Sequence, residues 1–204
     1  MAMMAPVRWL ASIVCRTPAQ QIVFQEYLRA VTQHTERLQL LEASLKDQVS
    51  SWRMAPVVEA LQALRGVQFT VAATTVAEVG DLTRFDNPRQ LTAYLGLNPS
   101  LYSTGTVHRP GPITKTGNHH ARRVLVEGAW AYRYPAKVSP SLQLRQEKLP
   151  PRIRDIAWKA QIRLCKRHRQ LTAKGKHVNV VNTAIAREMA SFMWAIAREV
   201  KVQA

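Results

Sequence analysis

Apolar side chains recur at helical spacing along most of the chain, and little of it alternates between apolar and polar residues as a strand does. In the longest such stretch, residues 21–49, apolar residues fall mostly three, four or seven positions apart, which predicts one long helix. Pro18 lies just before it, where the start of a helix tolerates proline, and polar Thr35 interrupts the apolar seam. The spacing suits packing against a partner helix and, equally, packing on the helix's own domain.

Residues 55–81 form a pattern of two short helices joined at Gly66. The first has an apolar face that stops at this glycine, and the second is rich in small residues and ends at Gly80. This order resembles a helix-hairpin-helix unit, whose unpaired backbone N–H groups bind a DNA phosphate. Gln68 and Phe69 depart from the residues usual in that turn. Gly66 is therefore a candidate DNA contact, and an ordinary helical corner is the alternative.

The middle of the chain changes from helix to loop and back. Asn87 before Pro88 is a good cap for a short helix over 88–95. Residues 99–118 carry three prolines and three glycines and predict a loop, with a short strand pair around 102–109. Asn118 is placed to cap the next helix.

Small residues and prolines organise the rest of the chain. Gly128 and Ala129 lie on the inner face of the helix that begins at residue 119 and permit close approach of a neighbouring element. Prolines bracket residues 135–151, which predicts an exposed connector. Two amphipathic helices, over 152–173 and 178–201, follow.

These elements predict a mainly α fold with a helix-hairpin-helix-like core, a long N-terminal connector helix and basic C-terminal helices. The predicted division is an irregular stretch over 1–20, the connector or coiled-coil helix over 21–50, the core over 51–135 and the basic helices over 136–204.

Charge is concentrated in the second half of the chain. Of 204 residues, 29 are Lys or Arg and 13 are Asp or Glu, a formal net charge of +16. Residues 1–100 carry 9 basic and 8 acidic side chains, whereas residues 101–204 carry 20 and 5. This asymmetry indicates a polyanionic partner for the second half, most simply a nucleic acid. A basic surface without a specific ligand is the alternative.

Other classes of protein receive no support from the sequence. Two cysteines far apart, Cys15 and Cys165, make neither a disulfide framework nor a metal motif. No apolar run reaches the roughly 18 residues of a membrane span, so no membrane partner is expected. The histidines lack zinc-type spacing, and the acidic residues of the basic half are spread over separate segments. We therefore expect no metal site in this chain.

One segment of the basic half, residues 103–125, has the sequence STGTVHRPGPITKTGNHHARRVL and contains no carboxylate. Ser103 or Thr104 could attack a phosphodiester if cations fixed the phosphate and stabilised the developing charge. Basic residues for this role follow at Arg109, Lys115, His119, Arg122 and Arg123. A Ser-Thr-Gly turn without chemistry is the alternative.

An ordered set of blocks resembles a known family. LRGVQFTVAATTVAEVGDLTRF, RQLTAYLGLNPS, STG and GPITKTGNHHARRVLVEGAWAYR are similar to the C-terminal domain of the "IS-one-ten" insertion-sequence transposases, which recombine the DNA of mobile elements. The resemblance is strongest over 55–135 and continues to about residue 200. The helix over 21–49 resembles the end of the family's coiled-coil connector.

The resemblance implies a nucleophilic serine that forms a phosphoserine link to DNA. It also implies an N-terminal RuvC-like domain whose four acidic residues bind Mg²⁺, an oligomer or association with full-length copies, a guide RNA, and a cytoplasmic, nucleoid-associated bacterial protein. The acidic domain is absent from this sequence, so the chain is expected to be the C-terminal half of a transposase, truncated and inactive alone, with no cofactor of its own. Whether it is an enzyme stays open.

The family serine directly precedes the glycine, a position held here by Thr104, with Ser103 one residue upstream. Threonine keeps a hydroxyl but is stiffer at χ1, so both residues stay candidates and reactivity favours Ser103. An inert nucleic-acid-binding remnant and a helical interaction module without nucleic acid are the alternatives. The predicted DNA-binding residues are Gly66, Arg109, Lys115, His119, Arg122, Arg123, Lys159, Arg163, Lys166 and Arg167.

Overall fold

A computed structural model describes the backbone of residues 9–104 and 107–202, and the side chains of residues 102–110 lie outside its described part. The chain forms two compact units, Met1–Ser51 and Trp52–Ala204. In the described residues α-helices predominate, accompanied by a two-stranded sheet, so the predicted mainly α class is confirmed.

The first unit is built on helix α1 (Pro18–Ser50). Thr17 caps it: the Thr17 hydroxyl accepts a hydrogen bond from the Gln20 amide at 3.3 Å, and the Gln20 side chain accepts one from the Thr17 amide at 3.3 Å. Pro18 is the first helical residue, so the helix begins three residues before the predicted start at residue 21. The unit does not bury the apolar seam of its own helix, whose exposed members include Ile22, Val31, Leu38, Leu41 and Leu45.

The second unit contains the other long helices and the sheet. Its elements are α2 (Ala55–Leu61), α3 (Phe69–Val79), α4 (Pro88–Tyr94), β1 (Pro99–Thr104), β2 (Val107–Ile113), α5 (His119–Ala129), α6 (Pro140–Gln146), α7 (Pro151–Ala173) and α8 (Val178–Ala197). Short 3-10 turns cover Leu82–Arg84 and Trp130–Arg133.

Helix α8 lies at the centre of the second unit. It packs against α2, α4, α5 and α7 as well as the turn at Leu82–Arg84. Its fully buried side chains include Ile185, Met189, Met193 and Ile196. Most of its residues are apolar, and few are charged. The two C-terminal helices therefore share one core with residues 52–135. The functional division of these segments stays a prediction.

Gly66 and Gly128 bring α5 against the corner between α2 and α3. Gly66 has φ +80°, and a Cβ added there would overlap the carbonyl oxygen of Gly128. The close approach predicted for Gly128 is thus confirmed. This packing accounts for a glycine at position 66 without a ligand, and the helix-hairpin-helix assignment stays a prediction.

Most of the connector over 135–151 is exposed, as predicted, but its centre forms a short helix that contacts the core. Residues 140–146 form α6, with Leu142 only 2% exposed. The Arg145 guanidinium donates to the Val67 carbonyl at 2.8 Å, and the Gln146 side chain donates to the Ala63 carbonyl at 2.8 Å. Proline at the first turn starts a helix as readily as it breaks one, which explains why this helix was not predicted.

A buried polar group, His168, is expected to make the stability of the second unit depend on pH. Burial lowers the pKa of His168 on α7, a shift that Arg133 strengthens and Asn182 opposes. The unfolded chain therefore takes up a proton near pH 6.5, before the folded protein does. Stability should be complete above that pH and fall below it, by at most about 1.4 kcal/mol per pH unit.

Replacing His168 with leucine should flatten this decline. The measurement is the free energy of unfolding in urea at pH 7.5, 6.5 and 5.5, with His34→Leu at an exposed position as the matched control. An unchanged slope in His168→Leu would show that other groups cause the decline.

Candidate nucleic-acid interface

The β1–β2 hairpin carries the candidate nucleophiles and lies between α4 and α5 along the chain. Its strands are antiparallel, with Ser103 opposite His108 and Thr104 opposite Val107. The two candidates are therefore placed at the turn end of the hairpin, opposite its root. The side chains of Ser103, Thr104 and Arg109 lie outside the described residues, so their predicted roles rest on backbone position.

The root of the hairpin, residues 96–99 and 113–117, is hydrogen-bonded to itself beside the end of α4. The Lys115 amide donates to the Gly96 carbonyl at 3.1 Å, and the Thr114 amide donates to the Asn98 carbonyl at 2.9 Å. Gly117 has φ +77°, and a Cβ there would overlap the Tyr94 carbonyl oxygen. Contacts this close require glycine and hold the segment after β2 against the helix.

Arg122 strengthens the same junction from α5. Its guanidinium donates to the Leu95 carbonyl at 3.0 Å and the Thr116 carbonyl at 3.1 Å. Leu95 caps the C-terminus of α4, where carbonyls lack helical partners and a cation is favourable. These bonds give Arg122 a structural role, and its predicted contact to phosphate stays a prediction.

Asn118 starts α5, as predicted. Its side-chain oxygen accepts hydrogen bonds from the amides of His120 at 2.9 Å and Ala121 at 3.1 Å. Its side-chain nitrogen donates to the Glu78 carboxylate near the end of α3. The cap therefore fixes both the first turn of α5 and its position beside α3.

The remaining predicted contacts near the hairpin face solvent. Lys115 and His119 are exposed, and the His119 ring lies 4.0 Å from the ring of His120, centre to centre. Arg123 makes an exposed ion pair with Glu127 at 2.9 Å, a contact that contributes little to stability. These side chains are accessible to a ligand.

The predicted contacts on α7 divide into two kinds. Lys159 and Lys166 are exposed. Arg163 and Arg167 instead lie 2.8 and 3.4 Å from the same carboxylate, that of Glu188 on α8. One acid thus offsets part of the charge of two predicted DNA-binding residues, a pairing that sequence spacing did not reveal.

Two arginines that the sequence analysis did not select line one cleft of about 320 Å³. Arg89 comes from α4 and Arg187 from α8, and the rest of the lining is Thr92, Asn98, Glu188 and Ser191. Arg187 is hard to recognise from sequence because it lies within a largely buried helix, between residues that face the core. No strong local pattern marks either residue.

The described residues offer no site that fits Mg²⁺, the ion that the family resemblance implies. Among them, no group of three or more His, Cys, Asp or Glu side chains is placed to hold a metal ion. In the same part of the chain, no helix is both long and apolar enough to cross a bilayer.

Several known proteins are similar to this chain. The sequence model of the family described as "Transposase IS116/IS110/IS902 family" matches residues 58–141. The Sinorhizobium fredii protein y4qE, named as a transposase, is 46% identical over 195 residues, which are 96% of this chain and 47% of that protein. A Pseudomonas aeruginosa protein named as a family 20 transposase is 29% identical over 84% of this chain and 44% of its own length.

A third similar protein is the transposase for insertion sequence element IS1533 of Leptospira borgpetersenii. It is 25% identical over 170 residues, which are 83% of this chain and 49% of the relative. The chain thus spans about half the length of the curated relatives it matches. The similarity covers the hairpin, its root and the central helix.

Proposed function

Because this chain belongs to the IS116/IS110/IS902 family of transposases, we propose that it takes part in DNA transposition by binding DNA and supplying a hydroxyl nucleophile. The observation that carries the proposal is the extent of the family match. Residues 58–141 include the whole hairpin, with Ser103 and Thr104, and the α5 junction that holds it.

The charge distribution supports DNA as the partner. Residues 101–204 carry 20 basic and 5 acidic side chains. Of the predicted contacts, Lys115, Arg123, Lys159 and Lys166 are exposed and available to phosphate. Neutralising phosphates with lysine and arginine releases counterions, which provides most of the affinity of non-specific DNA binding.

The proposed chemistry is attack of a serine or threonine oxygen on the phosphorus of a DNA backbone. The new bond joins the side-chain oxygen to phosphorus, the bond from phosphorus to one deoxyribose oxygen breaks, and that oxygen leaves with a proton. Nearby cations would stabilise the added negative charge on the phosphate. Rejoining reverses the step with a different deoxyribose hydroxyl as the attacking group.

A non-catalytic role in binding DNA or RNA is the second candidate. It is favoured by the absence of a carboxylate from residues 103–125, which leaves only histidines as ordinary general bases for a hydroxyl nucleophile in this segment. In the catalytic proposal the Mg²⁺-binding acids come from full-length copies, and the guide RNA comes from the mobile element. Exposed apolar residues of α1 would supply the contact for such an oligomer.

DNA binding by the complete chain is tested by salt titration of its affinity for duplex DNA. We expect the logarithm of the association constant to fall linearly with the logarithm of the salt concentration, by about 0.9 per neutralised phosphate. Lys159→Gln with Lys166→Gln should lower this slope by up to about 2 if both lysines contact phosphate.

The matched control is Lys148→Gln with Lys201→Gln, which also removes two positive charges, but from exposed positions outside the predicted interface. It should leave the slope nearly unchanged. Equal slopes for all three proteins would contradict the α7 contacts, and failure to bind DNA at low salt would contradict the proposed function.

A further inference from the structure

A second cleft, of about 610 Å³, lies at the root of the hairpin between the strand ends and the first half of α8. Its volume falls in the range of about 300–1,000 Å³ that is typical of small-molecule sites. Much of its wall is aliphatic, contributed by Leu97, Pro99, Ile113, Val180 and Ala184. Val180 is 57% exposed, so a substantial apolar surface faces the opening.

The polar groups of this cleft carry positive charge without a carboxylate. Its lining includes Lys115 from the hairpin root and Arg187 from α8, with Asn179 and Thr183 as uncharged hydrogen-bonding groups. An apolar wall combined with two cations suits a ligand that has a flat, weakly polar body and an anionic group. A purely apolar ligand would leave the cations without a partner.

Arg187 is the residue that joins this cleft to the more polar one. It also lines the cleft of about 320 Å³ that contains Arg89 and Asn98. Glu188, the neighbouring acid, is already paired with Arg163 and Arg167. No ion pair within the described part of the chain engages the guanidinium of Arg187 or Arg89. Arg187 and Arg89 therefore extend the basic lining from the larger cleft into the smaller one, whose wall also includes the paired carboxylate of Glu188.

We propose that the larger cleft receives one unpaired nucleotide of a DNA strand, with its base on the aliphatic wall and its phosphate at Lys115 and Arg187. The inference rests on the proposed function, because it names which form of DNA this surface recognises. In a paired duplex the bases are stacked inside, so only a base that has left the stack can enter the cleft.

The position of the cleft favours DNA that is undergoing reaction. Pro99 lines it, and Ser103 lies four residues further along the same strand. At about 3.3 Å per residue this places the candidate nucleophile roughly 13 Å from the cleft. A nucleotide held there would anchor the strand beside the phosphate under attack without itself being the site of the chemistry.

The test compares two DNA duplexes. One is fully paired, and the other has the same sequence with one extra, unpaired 2-aminopurine that forms a bulge. The complete chain should bind the bulged duplex about tenfold more tightly than the paired one and raise the emission of the unstacked base. Ala184→Leu, which fills the cleft, should abolish both differences while keeping the affinity for paired DNA. Arg187→Gln should reduce the preference for the bulge several-fold.

Ala173→Leu and Arg169→Gln are the matched controls, since both alter exposed positions on α7 and should keep the preference. Unfolding curves would verify that Ala184→Leu remains folded, and Arg187→Gln provides an independent probe of the same cleft.

An undiminished preference in both cleft variants would overturn the inference while leaving DNA binding intact. Tighter binding of a bulged RNA duplex would overturn its assignment to DNA. Failure of the unaltered chain to bind any DNA would instead refute the proposed function.

Discussion

Alanine at both Ser103 and Thr104 is expected to abolish covalent capture of DNA by this protein. The proposed attack leaves the DNA strand joined to a side-chain oxygen through phosphorus, and the double substitution removes both oxygens that could form this bond. The unaltered chain should yield a DNA adduct that survives denaturation, and the double variant should yield none. The single variants should show which hydroxyl reacts, with Ser103→Ala expected to lose more.

The measurement uses end-labelled DNA with the terminal sequences of the mobile element, Mg²⁺ and the full-length Sinorhizobium fredii relative. That relative is about twice as long as this chain, so a denaturing gel separates the two adducts. Ser100→Ala is the matched control, because Ser100 lies on the same strand and its hydroxyl donates to the Pro112 carbonyl at 2.9 Å. An adduct that persists in the double variant would disprove the assignment. No adduct from the unaltered chain would favour the non-catalytic alternative.

Substituting Gly66 with alanine should destabilise the second unit by about 2–4 kcal/mol. Two effects add: φ is +80° at this position, and the new Cβ would overlap the Gly128 carbonyl oxygen, which belongs to a packed helix and cannot move freely. Because the overlap separates α5 from the α2–α3 corner, the loss should appear in global unfolding.

Gly175→Ala isolates the first effect. Gly175 also has positive φ, at +68°, but a Cβ there meets nothing within 4 Å. Its replacement should cost about 1 kcal/mol. Urea unfolding followed by circular dichroism measures both. If the two variants lost equal stability, close packing of Gly66 on Gly128 would not contribute.

Local signals in the sequence predicted much of the fold. Asn87 and Asn118 accept the predicted capping hydrogen bonds, and α3 ends at Gly80 as expected. The strand pair predicted around residues 102–109 lies within the observed hairpin. Each of these features depends on a few neighbouring residues, so their chemistry is visible without knowledge of the tertiary structure.

Features that depend on distant residues were not predicted. Arg122 binds carbonyls on two other segments, and Glu188 pairs with two arginines of the preceding helix. The anchoring of α6 through Arg145 likewise depends on a carbonyl far away in sequence. A cationic side chain has the same appearance in sequence whether it faces solvent, a carboxylate or a buried backbone. The candidate site was therefore predicted as a list of basic residues, and the structure divides that list into exposed and paired groups.

The central position of α8 has a consequence for how the protein folds during synthesis. The helices that precede it enclose a space that α8 fills, and its contacts with α2 join the two ends of this unit's sequence. While the ribosome is still translating the stretch before Val178, α2, α4 and α5 have apolar faces with no central helix to cover them. Such long-range contacts form slowly, and exposed apolar surface promotes aggregation in the meantime. Nascent chains of this unit should therefore need chaperone protection until α8 has left the ribosomal tunnel.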